Sequence, residues 1–242
     1  NILRGNGCLC LPKGQVVMPS FNRPNIVQQA LNDTQNQTFK DWRLYIMDNS
    51  SEKHWEQMRE IYEGFSKSDC RIVFDHTEAV DLLRLRKHYV CIVTNKALFQ
   101  LSQHEPYVVL TCDDIIIMHQ KLEILSSLLD THGEYDIVSG ILELVDDRGK
   151  IVQRLGGFSL KCAANMLDWC QPMYRRTLIE KVGKFAEDTV PNADADYYER
   201  LAKVTDKVFG IPVALDQANV RFRGTRGSRQ LLEKMLLGEL MG

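Results

Sequence analysis

Apolar positions follow two alternating rhythms along the first half of the chain. Short, nearly continuous apolar runs recur at 15–21 (QVVMPSF), 42–48 (WRLYIMD), 71–74 (RIVF) and 107–113 (YVVLTCD). Runs of this length between polar segments predict buried strands, and the last is apolar enough to be covered on both faces. Between them the spacing turns helical. Pro24 opens a stretch in which Ile26, Val27, Ala30 and Leu31 share a face, and Trp55, Met58, Ile61, Tyr62 and Phe65 form a second stripe. Further helices are expected over roughly 78–101 and 119–131. Strand and helix alternating four times predict an α/β domain with a mostly parallel sheet between two helical layers.

The rhythm then changes. DIVSGILELV and KIVQRL flank the turn DDRG and predict a hairpin. RRTLIEKVGKF reads as a short helix ending near Gly183. DADYYERLAKV reads as another, with Asp194 near its start, and 208–215 (VFGIPVAL) as a last strand. A basic stretch carrying Arg221, Arg223, Arg226 and Arg229 leads into a C-terminal helix. These arginines suit either a lid over phosphates or a plain basic surface loop.

Parallel α/β sheets bind ligands beyond the carboxyl ends of their strands. The first strand ends at Ser20–Asn22, the second at Asp48–Asn49 and the fourth at Asp113–Asp114, so three polar clusters fall on one sheet edge. The paired aspartates are the sharpest signal. An ionised carboxylate in an apolar interior is costly unless it finds a partner. The pair must therefore sit at the strand mouth, meet a cation, or both. Carboxylate oxygens there suit Mg²⁺ or Mn²⁺ held together with a diphosphate. Solvated carboxylates capping the next helix are the plainer alternative.

Composition narrows the field. The 242 residues carry 30 basic and 32 acidic side chains, a net charge of -2, with no general pull toward nucleic acid or anionic lipid. No apolar run reaches the roughly 20 residues of a membrane span, and no signal-like segment is visible, so a cytoplasmic location is expected, with association at the membrane periphery left open. Seven scattered cysteines without a CxxC predict reduced thiols. The first turn, PSFNRP, is not glycine-rich, and neither GxGxxG nor GxxxxGK[ST] occurs, which disfavours dinucleotide binding and P-loop chemistry.

The ordered stretches VVMPSFNRP, QTFKDWRLYIMDNSS, TNKAL, YVVLTCDDIIIM, RRTLIEKVGKF and DADYYERL resemble the inverting GT-A glycosyltransferases of family 2 over roughly residues 15–205. Within that family they are most similar to the spore coat polysaccharide enzymes of bacilli. The resemblance implies a single GT-A domain over 1–242. Its parts would be a nucleotide-binding half (about 15–115), an acceptor-binding half with a smaller β region (about 116–220) and a C-terminal lid or helix (221–242). It implies a nucleotide-diphosphate sugar donor linked to uridine or thymidine, a saccharide or glycoconjugate acceptor of bacterial polysaccharide synthesis, and Mn²⁺ or Mg²⁺.

Residue by residue, it implies that Ser20, Phe21 and Asn22 line the base pocket and that Asp48 accepts a hydrogen bond from the base. Asp113 would face ribose or metal, and Asp114 would be the main metal ligand. Asp194 would be the general base, with Asp196 as a rival because Ala193 stands where relatives have Glu or Gly. An arginine that contacts the base in relatives maps to Arg86, with Arg84, Lys87 and His88 at shifted spacing. Asp168 and Trp169 would line the acceptor side, although Trp169 could equally fill core. Two other functions remain open at this level. One is a sugar nucleotidyltransferase, against which the missing glycine-rich loop argues. The other is a nucleotide-binding scaffold of the same fold without transfer activity.

Overall fold

A computed structural model describes residues 12–77, 89–101, 104–156, 160, 167–188 and 193–219. Arg84, Arg86, Lys87, His88 and the arginines at 221–229 lie outside the described residues.

The chain order is β1 (Gly14–Ser20), α1 (Pro24–Gln35), β2 (Trp42–Asp48), α2 (Glu52–Ser68), β3 (Ile72–His76), α3 (Tyr89–Lys96), β4 (Tyr107–Leu110), β5 (Ile115–Ile117), α4 (Lys121–Thr131), β6 (Ile137–Val145), β7 (Ile151–Leu155), β8 (Pro172–Arg175), α5 (Arg176–Val182), α6 (Ala193–Val204) and β9 (Val208–Asn219). One sheet takes all nine strands in the order β3-β2-β1-β4-β8-β6-β9-β5, with β7 paired to β6. Six of them, β3, β2, β1, β4, β6 and β9, run the same way.

Alternation along the strands builds two cores. Val16 and Met18 of β1, Leu44 and Ile46 of β2 and Tyr107 and Val109 of β4 face α1, α2 and α4, where Leu31, Met58, Tyr62 and Leu125 complete the layer. Val17, Tyr45, Met47, Val108 and Leu110 face the other way, onto Val93, Leu98, Ile179, Tyr197 and Leu201 of α3, the turn after it, α5 and α6. Period-two side-chain direction in a sheet buried on both faces is the reason the strands read as unbroken apolar runs.

Several expectations need correction. The fourth strand stops at Leu110, and Asp113–Asp114 lie in a turn closed by Ile115 N–H donating to Cys112 C=O at 3.2 Å. The apolar triplet after it is a separate strand, β5, at the sheet's far end, antiparallel to β9. The described part of the 78–101 stretch is α3 followed by a π-helical turn, Ala97–Leu101. Strand β8 is four residues long and opens with proline, too weak a pattern to read, yet it joins the parallel half to β6. Cys91, Cys112 and Cys170 are free as expected, but Cys70 is disulfide-bonded. The β6–β7 hairpin is as expected, with Gly149 at φ +77° in its turn.

Candidate active site at the strand mouths

The first and third polar clusters come from the loop after β1 and the turn after β4. β1 and β4 are adjacent and parallel, so both chains leave the sheet at the same edge. Asp113 accepts hydrogen bonds from Ser20 Oγ (2.8 Å), Phe21 N–H (3.2 Å) and Arg23 Nη1 (2.8 Å). The same guanidinium nitrogen lies 2.7 Å from Asp114 Oδ2. The two carboxylates thus share one cation. Asp113 is 4% exposed and Asp114 12%. Burial pushes the Asp113 carboxyl up to about 6; Arg23 opposes the shift and Asp114 adds to it. Burial works against the charge on Arg23, but Asp113 and Asp114 outweigh it and raise its pKa. Arg23 is the residue that sequence reading missed. The signal was in view: a lone arginine in the first strand-end loop, opposite an uncompensated acidic pair.

Asn22 adopts φ +53°, a left-handed conformation that asparagine tolerates better than most residues. This turns its backbone N–H onto Ser50 Oγ (2.9 Å), while its Oδ1 accepts from Ser51 N–H (2.9 Å) and Oγ (3.1 Å). The β1 and β2 mouths are stitched together this way. Phe21 sets its ring 5.2 Å from that of Tyr89 at the start of α3.

Asp48, at the end of β2, is fully buried and accepts from Ser50 N–H (2.8 Å), Ser50 Oγ (2.9 Å) and Tyr62 OH (2.8 Å), with His76 Nδ1 at 3.0 Å. Four partners fill the roughly four lone-pair positions of a carboxylate. Asp48 therefore works as a hub that shapes the 49–51 turn. His76 in turn stacks on Trp55 at 3.8 Å. Burial, and then the charge of Asp48, hold the Tyr62 hydroxyl protonated.

The acceptor-side candidates lie on the segment before β8. Asp168 Oδ1 accepts Cys170 N–H (3.0 Å), and the Asp168 carbonyl accepts Tyr198 OH of α6 (3.0 Å). Trp169 is partly buried. Its indole N–H donates to Cys112 Sγ (3.4 Å), and its ring meets Phe185 edge-on at 5.6 Å; Phe185 stacks on Tyr197 of α6 at 3.8 Å. Trp169 thus connects the residue before the acidic pair to the helix that bears Asp194.

Asn95, from TNKAL, holds the approach to that helix. Its side chain donates to the Phe185 carbonyl (2.9 Å) and accepts the Phe185 N–H (2.8 Å). At the helix start Asp194 is exposed, its Oδ1 meeting the Ala195 N–H at 2.9 Å, whereas Asp196 is ion-paired with Arg200 at 3.0 Å. Asp194 is the more exposed of the two and has no ion-pair partner among the described residues.

The donor set suits a hard cation in part. Asp114 meets Arg23 alone among the described residues and offers carboxylate oxygen. The oxygens of Asp113 are already held by Ser20, Phe21 and Arg23. Among the described residues no group of three or more His, Cys, Asp or Glu side chains could hold an ion unaided. Oxygens of a bound diphosphate would have to complete the shell, the usual arrangement for Mg²⁺.

The chain is 25% identical over 206 residues to protein CgeD of Bacillus subtilis (strain 168), covering 80% of this chain and 47% of that protein. A shorter match, 31% over 64 residues, covers 26% of this chain and 20% of the GalNAc(5)-diNAcBac-PP-undecaprenol beta-1,3-glucosyltransferase of Campylobacter jejuni. The chain therefore spans about half the length of the first of these relatives and a fifth of the second. Among solved structures, TarS 1-349 of S. aureus in complex with UDP-GlcNAc superposes with a TM-score of 0.68 at 17% identity, over 93% of this chain and 65% of that one. The mannosyltransferase PcManGT of Pyrobaculum calidifontis, in complex with GDP-Man and Mn²⁺, gives 0.62 at 16% identity, over 89% and 59%. These likenesses establish the GT-A fold. The family model for glycosyl transferase family 2 matches residues 15–183, well over half of the chain, and the chain belongs to that family.

Proposed function

We propose that this chain is an inverting glycosyltransferase that moves a sugar from a nucleotide diphosphate to a hydroxyl acceptor. The observation that carries the proposal is the joining of Asp113 and Asp114 to the Ser20–Arg23 loop at one sheet edge, with Asp194 open on the neighbouring helix. In this reading residues of about 15–115 bind the donor, and residues of about 116–220 bind the acceptor.

Phe21 and the Ser20–Asn22 backbone flank the base. Asp48 acts indirectly, by fixing the 49–51 turn that forms the pocket wall. Asp114 holds Mn²⁺ or Mg²⁺ jointly with the donor's phosphates, while Asp113 positions Arg23. A bound divalent ion supplies charge neutralisation at the leaving diphosphate. Asp194 takes the proton from the acceptor hydroxyl as that oxygen attacks the anomeric carbon. The bond from that carbon to the diphosphate oxygen breaks, and the nucleoside diphosphate leaves with the electron pair, inverting the centre. Asp196 is held by Arg200 and is the weaker candidate for the base. Trp169 presents its free surface to the acceptor sugar. A uridine or thymidine donor is favoured by the resemblance of the opening motifs. TarS and PcManGT bind UDP- and GDP-linked sugars respectively, so the base is a matter for direct test. The product would be a bacterial polysaccharide or glycoconjugate.

Calorimetric titration of UDP, dTDP, GDP and CDP, each with and without Mn²⁺, tests donor binding on wild type and Asp114→Ala. Binding of one nucleotide that requires both Mn²⁺ and Asp114 is expected. Asp194→Asn should bind that nucleotide as wild type does and lose transfer by about 100-fold or more. Transfer that survives in Asp194→Asn removes it as the base. Nucleotide binding without transfer to any acceptor favours the scaffold alternative.

A further inference from the structure

The side chain between the paired carboxylates is itself a cation. Arg23 Nη1 sits 2.8 Å from Asp113 Oδ1 and 2.7 Å from Asp114 Oδ2. The two contacts are not equivalent. Asp113 is nine-tenths buried and is also held by Ser20 Oγ and Phe21 N–H. Asp114 is more open and meets Arg23 alone among the described residues. A guanidinium and a divalent ion cannot both sit against Asp114 without strong repulsion, because both would lie within a few ångströms of the same oxygens.

We infer that Arg23 is an internal counter-ion that occupies the cation position of Asp114 in the ligand-free protein and yields it when a divalent ion enters. It stays anchored to Asp113 as it swings away. The inference rests on the metal-binding reading of Asp114 above. Its physical basis is the asymmetry of the pair: the buried carboxylate retains its arginine, and the more open one exchanges it. Released from Asp114, the guanidinium keeps its remaining donors for a phosphate, a geometry for which arginine is well shaped. Metal entry and diphosphate binding are then coupled, since each favours the same displaced position of Arg23. Arg23 acts as a positioning residue that sets how strongly the free protein holds a metal.

The test is a titration with excess Mn²⁺, whose shell water completes weakly beside Asp114 when no diphosphate is bound, followed by electron paramagnetic resonance of the free ion, on wild type, Arg23→Gln, Arg23→Lys and Asp114→Asn. Removing a cation this close should tighten Mn²⁺ binding to Arg23→Gln by about ten-fold or more. Arg23→Lys, which keeps the charge, should return toward wild type, and Asp114→Asn should bind weakly. Equal or weaker Mn²⁺ binding in Arg23→Gln overturns the inference.

Should Arg23→Gln fail to fold, arginine side-chain NMR of the wild type decides the matter. Titrating in Mg²⁺ must move a guanidinium signal that is missing from Arg23→Lys, and an unmoved signal overturns the inference. If neither ion binds wild type or Arg23→Gln, with or without UDP or GDP, the metal role of Asp114 fails and takes this inference with it. Tight metal binding that is indifferent to residue 23 sinks the inference alone.

Discussion

Lys121 and Asp216 meet at 2.5 Å with no side-chain exposure at either end, and Lys121 also donates to the Cys170 carbonyl at 2.7 Å. A buried pair of this kind is costly to break from one side, because the survivor is left charged without a partner. Lys121→Met is therefore expected to destabilise the fold by about 3–5 kcal/mol, measured by urea unfolding. Asp216→Asn should cost a comparable amount at neutral pH, because it leaves the Lys121 ammonium buried without a counter-charge. Burial pushes the Asp216 carboxyl up to about 6 despite Lys121, against an ordinary value of 3.8. Its folded pKa is above its unfolded one, so the folded state binds the extra proton between those values. Its contribution is fully present below the unfolded value and is lost as pH rises through about 6. Wild type should accordingly gain stability relative to Asp216→Asn between about pH 7 and about pH 5. A difference independent of pH would show that Asp216 does not titrate in that window.

At the scale of elements, the long β6–β9 pairing depends on a local irregularity. Its register shifts between Ser139 and Ile141, and Gly140 lies in that shift. A Cβ there would fall 2.7 Å from Leu215 side-chain atoms and 2.9 Å from the Val213 carbonyl. Gly140→Ala must push backbone as well as side chain, with an expected cost of about 1–3 kcal/mol in thermal or urea unfolding. Asn95 performs a comparable service for α6, since its two bonds to the Phe185 backbone set the segment that leads toward Asp194. Asn95→Ala leaves a buried N–H and C=O unpaired, at about 1–3 kcal/mol. Transfer should fall in this variant well before donor binding does. Equal losses in both would mean that Asn95 serves the fold generally and not the Asp194 helix in particular.

Across the whole molecule, the donor-side candidates come from adjacent parallel strands and the acceptor-side candidates from elements brought in by antiparallel β8 and by α6. No helix among the described residues is long and apolar enough to cross a membrane. Hydrogen exchange with UDP or GDP and Mn²⁺ is expected to protect the amides of Phe21, Asn22, Ser50 and Ser51, and to leave the β6–β7 hairpin unchanged. Protection confined to the hairpin would place the nucleotide elsewhere.

Periodicity alone determined the α/β class, because strands covered on both faces are apolar throughout and helices carry one stripe. The predicted strand ends then put Ser20–Asn22, Asp48 and Asp113–Asp114 on one sheet edge, since a parallel sheet puts all its strand ends on the same side. Ser20, Phe21 and Asp113 meet there directly, and Asn22 joins the β2 turn. What sequence could not determine was which side chain answers which. The four partners of Asp48 come from the 50 position, α2 and β3, and nothing in local spacing shows that they converge. The difference between Asp194 and Asp196 is a pairing of the latter with Arg200 one helical turn later, readable in principle but visible only once side-chain directions are known. The cation that meets the acidic pair is 90 residues away from Asp113 along the chain. Only the packing of β1 beside β4 brings Arg23 to it, because long-range electrostatic partners are selected by the fold and leave no periodic trace in the sequence.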